Sequence, residues 1–177
     1  MLIREMTYAD ISQVVEMEKQ CFSDPWSEKS FEDSVAREDT IFLVCEEVPF
    51  EQADKPSQDV NNLTGTRISL KKEKEAQITG YIGLYISFDE CNITNVAVSL
   101  EYRKKGYGEA LVTTAQKLAK DKNVEKMFLE VRVSNHPAIS LYEKLGFEKI
   151  GIRKNFYEYP REDAYIMSCD LGISILT

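Results

Sequence analysis

The stretch that decides the fold runs from Asn95 to Val112 and reads NVAVSLEYRKKGYGEALV. It opens on Val96, Ala97 and Val98, an apolar run that suits a buried strand. It leads into Leu111, Val112, Ala115, Leu118 and Ala119, which recur at helical spacing. Between strand and helix lies RKKGYG, Arg103 to Gly108. The first N–H groups of a helix have no partner within it, and the helix dipole favours an anion there. Gly106 and Gly108 would let the backbone approach a phosphate closely. Arg103, Lys104 and Lys105 add positive charge, and Tyr107 stands between the glycines. The same residues also suit a basic turn that caps a surface helix, and spacing alone leaves both readings open. A nucleotide P-loop is excluded because GxxxxGK followed by Ser or Thr is absent. A dinucleotide fingerprint lacks its third glycine, since the stretch continues GYGEAL.

Upstream of it, LIREM reads as a short strand. Thr7 is placed to cap a helix through about Cys21, with Ile11, Val14, Val15 and Glu18 marking an apolar stripe and its edge. Ser27 is a candidate N-cap, with Trp26 and Phe31 around it as a hydrophobic staple. TIFLVCEE, ITGYIGLYISF and Cys91 to Val98 read as strands. KMFLEVRV is a further strand, and Pro137 to Leu145 a short helix with Pro at its start and Gly146 past its end. FEKIGIRK and DAYIMSCDL close the chain as a pair expected to be antiparallel. Residues 48–77 change character, rich in Lys, Glu, Asp, Asn, Gln and Ser, and read as a mobile surface insertion. The order β-α-α-β-β-β-α-β-α-β-β implies one α/β domain, residues 1–177, around a single mixed sheet.

Composition narrows the function. The chain has 177 residues, 43% of them apolar, which is ordinary for one globular domain. No apolar run approaches the roughly 18 residues of a membrane span, and the charged N-terminus is unlike a signal peptide. Cys21, Cys45, Cys91 and Cys169 form no CxxC pair and fit reduced thiols in a cytoplasmic protein. His136 is the one histidine, so a histidine-rich metal site is excluded and no metal is expected. The formal net charge of -8 argues against direct nucleic-acid binding. It suits a cationic partner, although such charge is mostly solvated surface.

The stretch from Asn95 to Val112 resembles the acetyl-CoA-binding motif of the GNAT N-acetyltransferase superfamily. That motif reads Arg or Gln, two residues, Gly, one residue, Gly or Ala; here Arg103, Gly106 and Gly108 are in register. LEVRVSNHPAISLYEKLGF, Leu129 to Phe147, is similar to the family's second signature. DPWSEKSF and RKNFYEYPREDAYIM further resemble the ribosomal-protein alanine N-acetyltransferases, with Phe156 departing from that pattern at its first tyrosine. The resemblance implies the GNAT fold, a mostly antiparallel mixed sheet of about six to seven strands with about four helices. It implies acetyl-CoA as co-substrate, with the loop at its pyrophosphate. Val96, Ala97 and Val98 would meet the pantetheine arm through their backbone, and Asn135 would help hold it. The implied acceptor is the N-terminal alanine of a small-subunit ribosomal protein.

The chemistry needs a neutral amine, stabilisation of a developing oxyanion and a proton for the departing thiolate. An α-amine with a pKa near 8 is neutral in roughly a tenth of molecules at pH 7, and a lysine amine about a hundred times less often. An α-amine therefore needs only a modest base. In KMFLEVRV, period-two alternation puts Phe128, Glu130 and Arg132 on one face and Met127, Leu129, Val131 and Val133 on the other. That face fits either a wet cleft or a half-exposed surface. The resemblance aligns Glu130 with the family's catalytic glutamate and Tyr142 with its proton-donating tyrosine. By periodicity Tyr142 is a core residue beside Ala138 and Leu145. His136 is an alternative base or a surface cap. Trp26, Tyr157 and Tyr159 are candidate substrate-binding residues; a helix staple and a hairpin loop explain them equally. Transfer to a polyamine, a lysine or another protein N-terminus, and a CoA-binding module without turnover, are the other readings considered.

Overall fold

The parallel pair of strands at the centre organises the molecule. The structure, a computed structural model, describes residues 1–47 and 76–172. In chain order the elements are β1 (Leu2–Glu5), α1 (Ile11–Cys21), α2 (Glu28–Val35), β2 (Thr40–Glu47), β3 (Gln77–Ser87), β4 (Glu90–Val98), α3 (Tyr107–Asp121), β5 (Lys126–Arg132), α4 (His136–Lys144), β6 (Glu148–Tyr157) and β7 (Glu162–Asp170). The strands form one seven-stranded sheet in the order β1-β2-β3-β4-β5-β7-β6. Every neighbouring pair is antiparallel except β4–β5, which is parallel. A parallel pair cannot be joined by a hairpin, and α3 supplies the crossover.

Each face of the sheet carries its own core. On one, Leu111, Val112, Ala115 and Ala119 of α3 and Ile139 and Tyr142 of α4 pack with Met127, Leu129 and Val131 of β5. On the other, Ile11, Val14, Val15 and Met17 of α1 and Phe31 of α2 pack with Phe42, Val44, Tyr81 and Ala97. The alternation expected along β5 is present: Met127, Leu129 and Val131 are buried, while Phe128, Glu130 and Arg132 are half-buried.

Strands β4 and β5 pair only from Glu90↔Lys126 to Ile93↔Leu129. Beyond that point they part, and two registers explain it. Asn95 faces Gly83 and Ile93 faces Leu84, so Thr94 is an extra residue in β4, a bulge that bends and twists the strand. Meanwhile β5 stays paired to β7 through Arg132↔Ala164. The bulge also resets which side of β4 each residue meets. Ile93 packs on the α3/α4 core, whereas Ala97 packs on the α1/α2 core.

The element order agrees with the sequence, and the differences are local. Thr7 opens a 3₁₀ turn, Tyr8–Asp10, before α1 begins; its N–H and hydroxyl both donate to Asp10 Oδ2, at 2.7 and 2.9 Å. The N-cap of α4 is Asn135, not His136, because the Asn135 side-chain Oδ1 accepts from the Ala138 N–H at 3.3 Å. Most of the expected insertion, residues 48–75, lies outside the described residues, and Gln77 already belongs to β3.

Candidate active site

The parted ends of β4 and β5 open a cleft of about 630 Å³. Asn95, Val96 and Val98 wall it on one side, Glu130, Val131 and Arg132 on the other. Gly108, Ala138, Leu141 and Tyr142 close it from the α3/α4 face, and Phe22, Ser23, Asp24 and Trp26 from the α1–α2 loop. The β6–β7 hairpin adds Phe156, Tyr157 and Tyr159.

The glycine loop lies at the mouth. Gly106 is the N-cap of α3 with φ +88°, a conformation that glycine adopts without steric cost. A Cβ there would meet nothing within 4 Å, so open space faces the helix start. A Cβ at Gly108 would stand 3.3 Å from Leu141 Cδ2, which lets α3 and α4 approach closely. The first N–H bonded back into the helix is that of Ala110, to the Gly106 carbonyl at 2.9 Å. The N–H groups of Tyr107, Gly108 and Glu109 have no acceptor among the described residues, so they suit an anion. Lys104 and Lys105 are exposed beside them. Arg103 is not extended into that space: its Nε donates to the Val98 carbonyl at 3.0 Å and its Nη2 lies 3.4 Å from Cys21 Sγ. Val96 and Val98 line the cleft, while Ala97 is buried against α1. Asn135 borders the cleft as the cap of α4.

Glu130 and Tyr142 border the same cleft from opposite faces of the sheet. Glu130 Oε1 forms an ion pair with Arg153 Nη1 of β6 at 2.9 Å, and the guanidinium lies 5.1 Å from the centre of the Phe156 ring. The Tyr157 hydroxyl donates to the Glu130 carbonyl at 3.4 Å. Tyr142 packs edge-on to Phe147, 5.7 Å between ring centres, so its core role is real. Its hydroxyl makes no hydrogen bond among the described residues, and burial pushes its pKa well above the usual phenol value. Tyr157 is shifted up as well, first by burial, with the Arg132 guanidinium opposing.

Arg132 organises the hairpin side of the cleft. Its guanidinium lies 4.0 Å from the centre of the Tyr157 ring. It donates to the carbonyls of Pro160 and Tyr159 at 2.9 Å each, to Glu162 Oε2 at 3.1 Å and to Ser23 Oγ at 3.2 Å. It thereby ties β5 to the hairpin and to the α1–α2 loop. Trp26 serves as the expected staple, 5.4 Å from Phe31 between ring centres, and lines the cleft too. Tyr159 is 70% exposed at the hairpin turn. His136 is exposed and does not border the cleft.

Sequence reasoning missed Arg153, Glu18 and Asn95. Arg153 lies on a strand too exposed to show an alternation. Glu18 carried a readable signal, a carboxylate four residues after Val14 on the buried stripe of α1. Among the described residues, no group of three His, Cys, Asp or Glu could hold a metal, and no helix is long and apolar enough to cross a membrane.

Comparison with known proteins places this geometry. The profile of the acetyltransferase (GNAT) family matches residues 11–147. A Bacillus subtilis (strain 168) protein, provisionally described as a ribosomal protein bS18-alanine N-acetyltransferase, is 37% identical over 165 residues, spanning 93% of this chain and 92% of that one. An N-alpha-acetyltransferase of Saccharolobus solfataricus is 47% identical over 78 residues, 44% of this chain and 46% of its own. The crystal structure of the ribosomal-protein-S18-alanine N-acetyltransferase from Escherichia coli superposes with a TM-score of 0.75 at 26% identity, covering 99% of this chain and 97% of that one. With the family profile spanning most of the chain and a relative matched almost end to end, the chain belongs to the GNAT acetyltransferase family and is an N-acetyltransferase.

Proposed function

We propose that this chain acetylates the α-amine of a protein N-terminus, specifically the alanine end of ribosomal protein bS18. The observation that carries the reaction is the parting of β4 from β5, which puts a carboxylate and a phenol at one gap from opposite faces of the sheet. The acceptor follows from the relatives, several of which carry bS18-alanine N-acetyltransferase in their names.

The loop at Gly106 to Gly108 fits a diphosphate: the N–H groups of Tyr107, Gly108 and Glu109 lack acceptors among the described residues, and the space a Cβ would take at Gly106 is open. Val96, Val98 and Asn135 line the path from that loop into the cleft. When bound, acetyl-CoA supplies the thioester acetyl group and the thiolate that leaves. Glu130, on the same face as the α1–α2 loop, takes the proton lost by the amine as its nitrogen bonds to the acetyl carbon. Arg153 pairs with that carboxylate, and its guanidinium rests against the Phe156 ring. Tyr142, from the α3/α4 face, holds its proton at neutral pH and donates it towards the departing sulfur. The burial that disfavours a phenolate disfavours a bare thiolate in the same site, so this hydrogen bond strengthens as charge grows on sulfur. Trp26, Tyr157 and Tyr159 frame the acceptor.

An acetyl-transfer assay over an acceptor panel tests the reading. The panel holds a peptide with the bS18 N-terminus, its N-terminally blocked twin, a lysine peptide and spermidine. Turnover of the free alanine peptide and not of the blocked one is expected. Turnover of spermidine or lysine instead would keep the cofactor site and Glu130 and discard the acceptor.

A further inference from the structure

The acceptor side of the cleft contains two features that are costly for a fold and that take no part in the proposed proton transfers. Glu18, on α1, is fully buried, and no cation pairs with it among the described residues. A buried carboxylate without a cation partner is among the most expensive side chains to retain. Next to it, the side-chain oxygen of Asn95 is buried with no hydrogen-bond partner among the described residues. Native folds leave few such atoms, and each calls for a reason.

One arrangement explains both. Glu18 Oε1 accepts from the backbone N–H of Trp26 and from Asn95 Nδ2, each at 3.2 Å. Its other oxygen accepts from the Tyr81 hydroxyl. One carboxylate thus joins α1, the α1–α2 loop, β3 and the diverging end of β4. The Asn95 amide has no better choice: a carboxylate oxygen only accepts, so the amide must turn its NH₂ towards Oε1, and its own oxygen has no partner among the described residues. Asn95 is also the first residue after the Thr94 bulge, the point at which β4 leaves β5. The tie therefore joins the loop wall to the strand where the cleft opens. Arg132 makes the matching tie on the far side, from β5 to Ser23 of the same loop.

We propose that Glu18 is the positioning residue of the acceptor site: it holds the α1–α2 loop, with Trp26, against β4 and so sets the width of the cleft where the acceptor amine meets Glu130. It acts as a hydrogen-bond hub rather than as a base. This rests on the reading that the acceptor enters from the α1/α2 face, and it adds a residue that the catalytic signatures do not contain.

The test separates acceptor from cofactor and geometry from charge. KM for the free alanine peptide and Kd for CoA are measured for the wild type, Glu18→Met, Glu18→Gln and Asn95→Ala. Glu18→Met is expected to raise the peptide KM about tenfold or more, the scale of losing hydrogen bonds to a charged group, with the CoA Kd unchanged. Glu18→Gln recovers most of that loss, because the glutamine oxygen accepts from Trp26 and Asn95 while its NH₂ donates to Tyr81. Should Glu18→Met fail to fold, Asn95→Ala cuts only the β4 side and is expected to raise the peptide KM severalfold. The proposal is overturned if both variants keep the wild-type peptide KM, if the CoA Kd rises in step with it, or if Glu18→Gln is as damaged as Glu18→Met. If the wild type acetylates spermidine or lysine rather than the peptide, the bS18 reading falls on its own. The same KM comparison with that amine then decides the role of Glu18.

Discussion

On the α3/α4 face the cleft is walled by apolar packing and a helix start; on the α1/α2 face it is walled by ion pairs and buried hydrogen bonds. The first wall uses Leu141, Ala138, Tyr142 and the glycines of α3, whose positions follow from helical periodicity. The second uses Arg132, Arg153, Glu130 and the Glu18 hub, whose positions follow from partners far away in sequence. The cofactor is shared by a whole family, so a short local motif suffices for it. The acceptor differs between relatives, so its wall is assembled from a helix, a loop, a strand and a hairpin. On the proposed assignment the division also separates the chemistry, with the base on the acceptor side and the acid on the cofactor side.

The sharpest way to break this division is to remove one group from each wall. Glu130→Gln and Tyr142→Phe are each expected to lower kcat by about 10² or more, the usual scale of acid–base roles. Neither should change the CoA Kd appreciably. Single-turnover kinetics with saturating acetyl-CoA and peptide would check this. Full activity in both variants would sink the assignment of base and acid together. A loss in Tyr142→Phe alone would leave Glu130 as part of a surface Glu–Arg pair.

A smaller effect sharpens the cofactor side. Gly106→Ala forces an L side chain into φ +88° and puts a methyl group into the open space at the start of α3. The strain alone is worth about 1–2 kcal/mol of stability. If that space receives the diphosphate, the CoA Kd should also rise by about tenfold, equivalent to about 1.4 kcal/mol. Calorimetric titration with CoA, alongside a thermal melt, separates the two. A lowered melting temperature with unchanged CoA affinity would make the loop a helix cap and nothing more.

The same division explains how far the sequence could be read. Periodicity located β5 and its polar face, because the alternation of Met127 to Arg132 is a local property. It placed α3, α4 and the glycine loop for the same reason. It did not show that β4 and β5 part after Ile93, because the extra residue Thr94 looks like any other strand residue until the register with β3 is known. Arg103 looked like one of three charges for a phosphate, yet its guanidinium turns back to the Val98 carbonyl at the strand end. Glu18 was readable as a carboxylate at the edge of an apolar stripe, but its value depends on Tyr81 and Asn95, 63 and 77 residues away. The assignment of Glu130 and Tyr142 came from family resemblance. Alternation alone fitted a surface pair, and helical spacing alone fitted a core tyrosine.

The smallest effects concern stability rather than turnover, and they carry opposite signs within the α1/α2 side. The Arg4 guanidinium donates to both carboxylate oxygens of Asp10, at 2.7 and 2.8 Å, and lowers the Asp10 pKa from 3.8 to about 2. A depressed carboxylate stabilises the fold above its unfolded value and loses that contribution as the pH falls towards the folded one. Asp10→Asn should therefore cost about 1–2 kcal/mol at neutral pH, allowing for the partly exposed Arg4. That deficit should fade as the pH falls from about 3.8 to about 2. Glu18 is the reverse case. Burial raises its pKa against the hydrogen bonds of Tyr81, Trp26 and Asn95, so ionising it opposes folding. Stability falls as the pH rises from the ordinary carboxylate range to the raised value, and the penalty stays above it. Glu18→Gln should thus be more stable than the wild type at neutral pH, with the gain shrinking on acidification, even though it keeps the loop in place. Denaturant melts of both variants between pH 3 and 7 would show one curve approaching the wild type from below and the other from above. Two curves on the same side would mean that the Glu18 carboxylate is held as favourably as Asp10. Its cost could then no longer be cited as a sign that the cleft requires it.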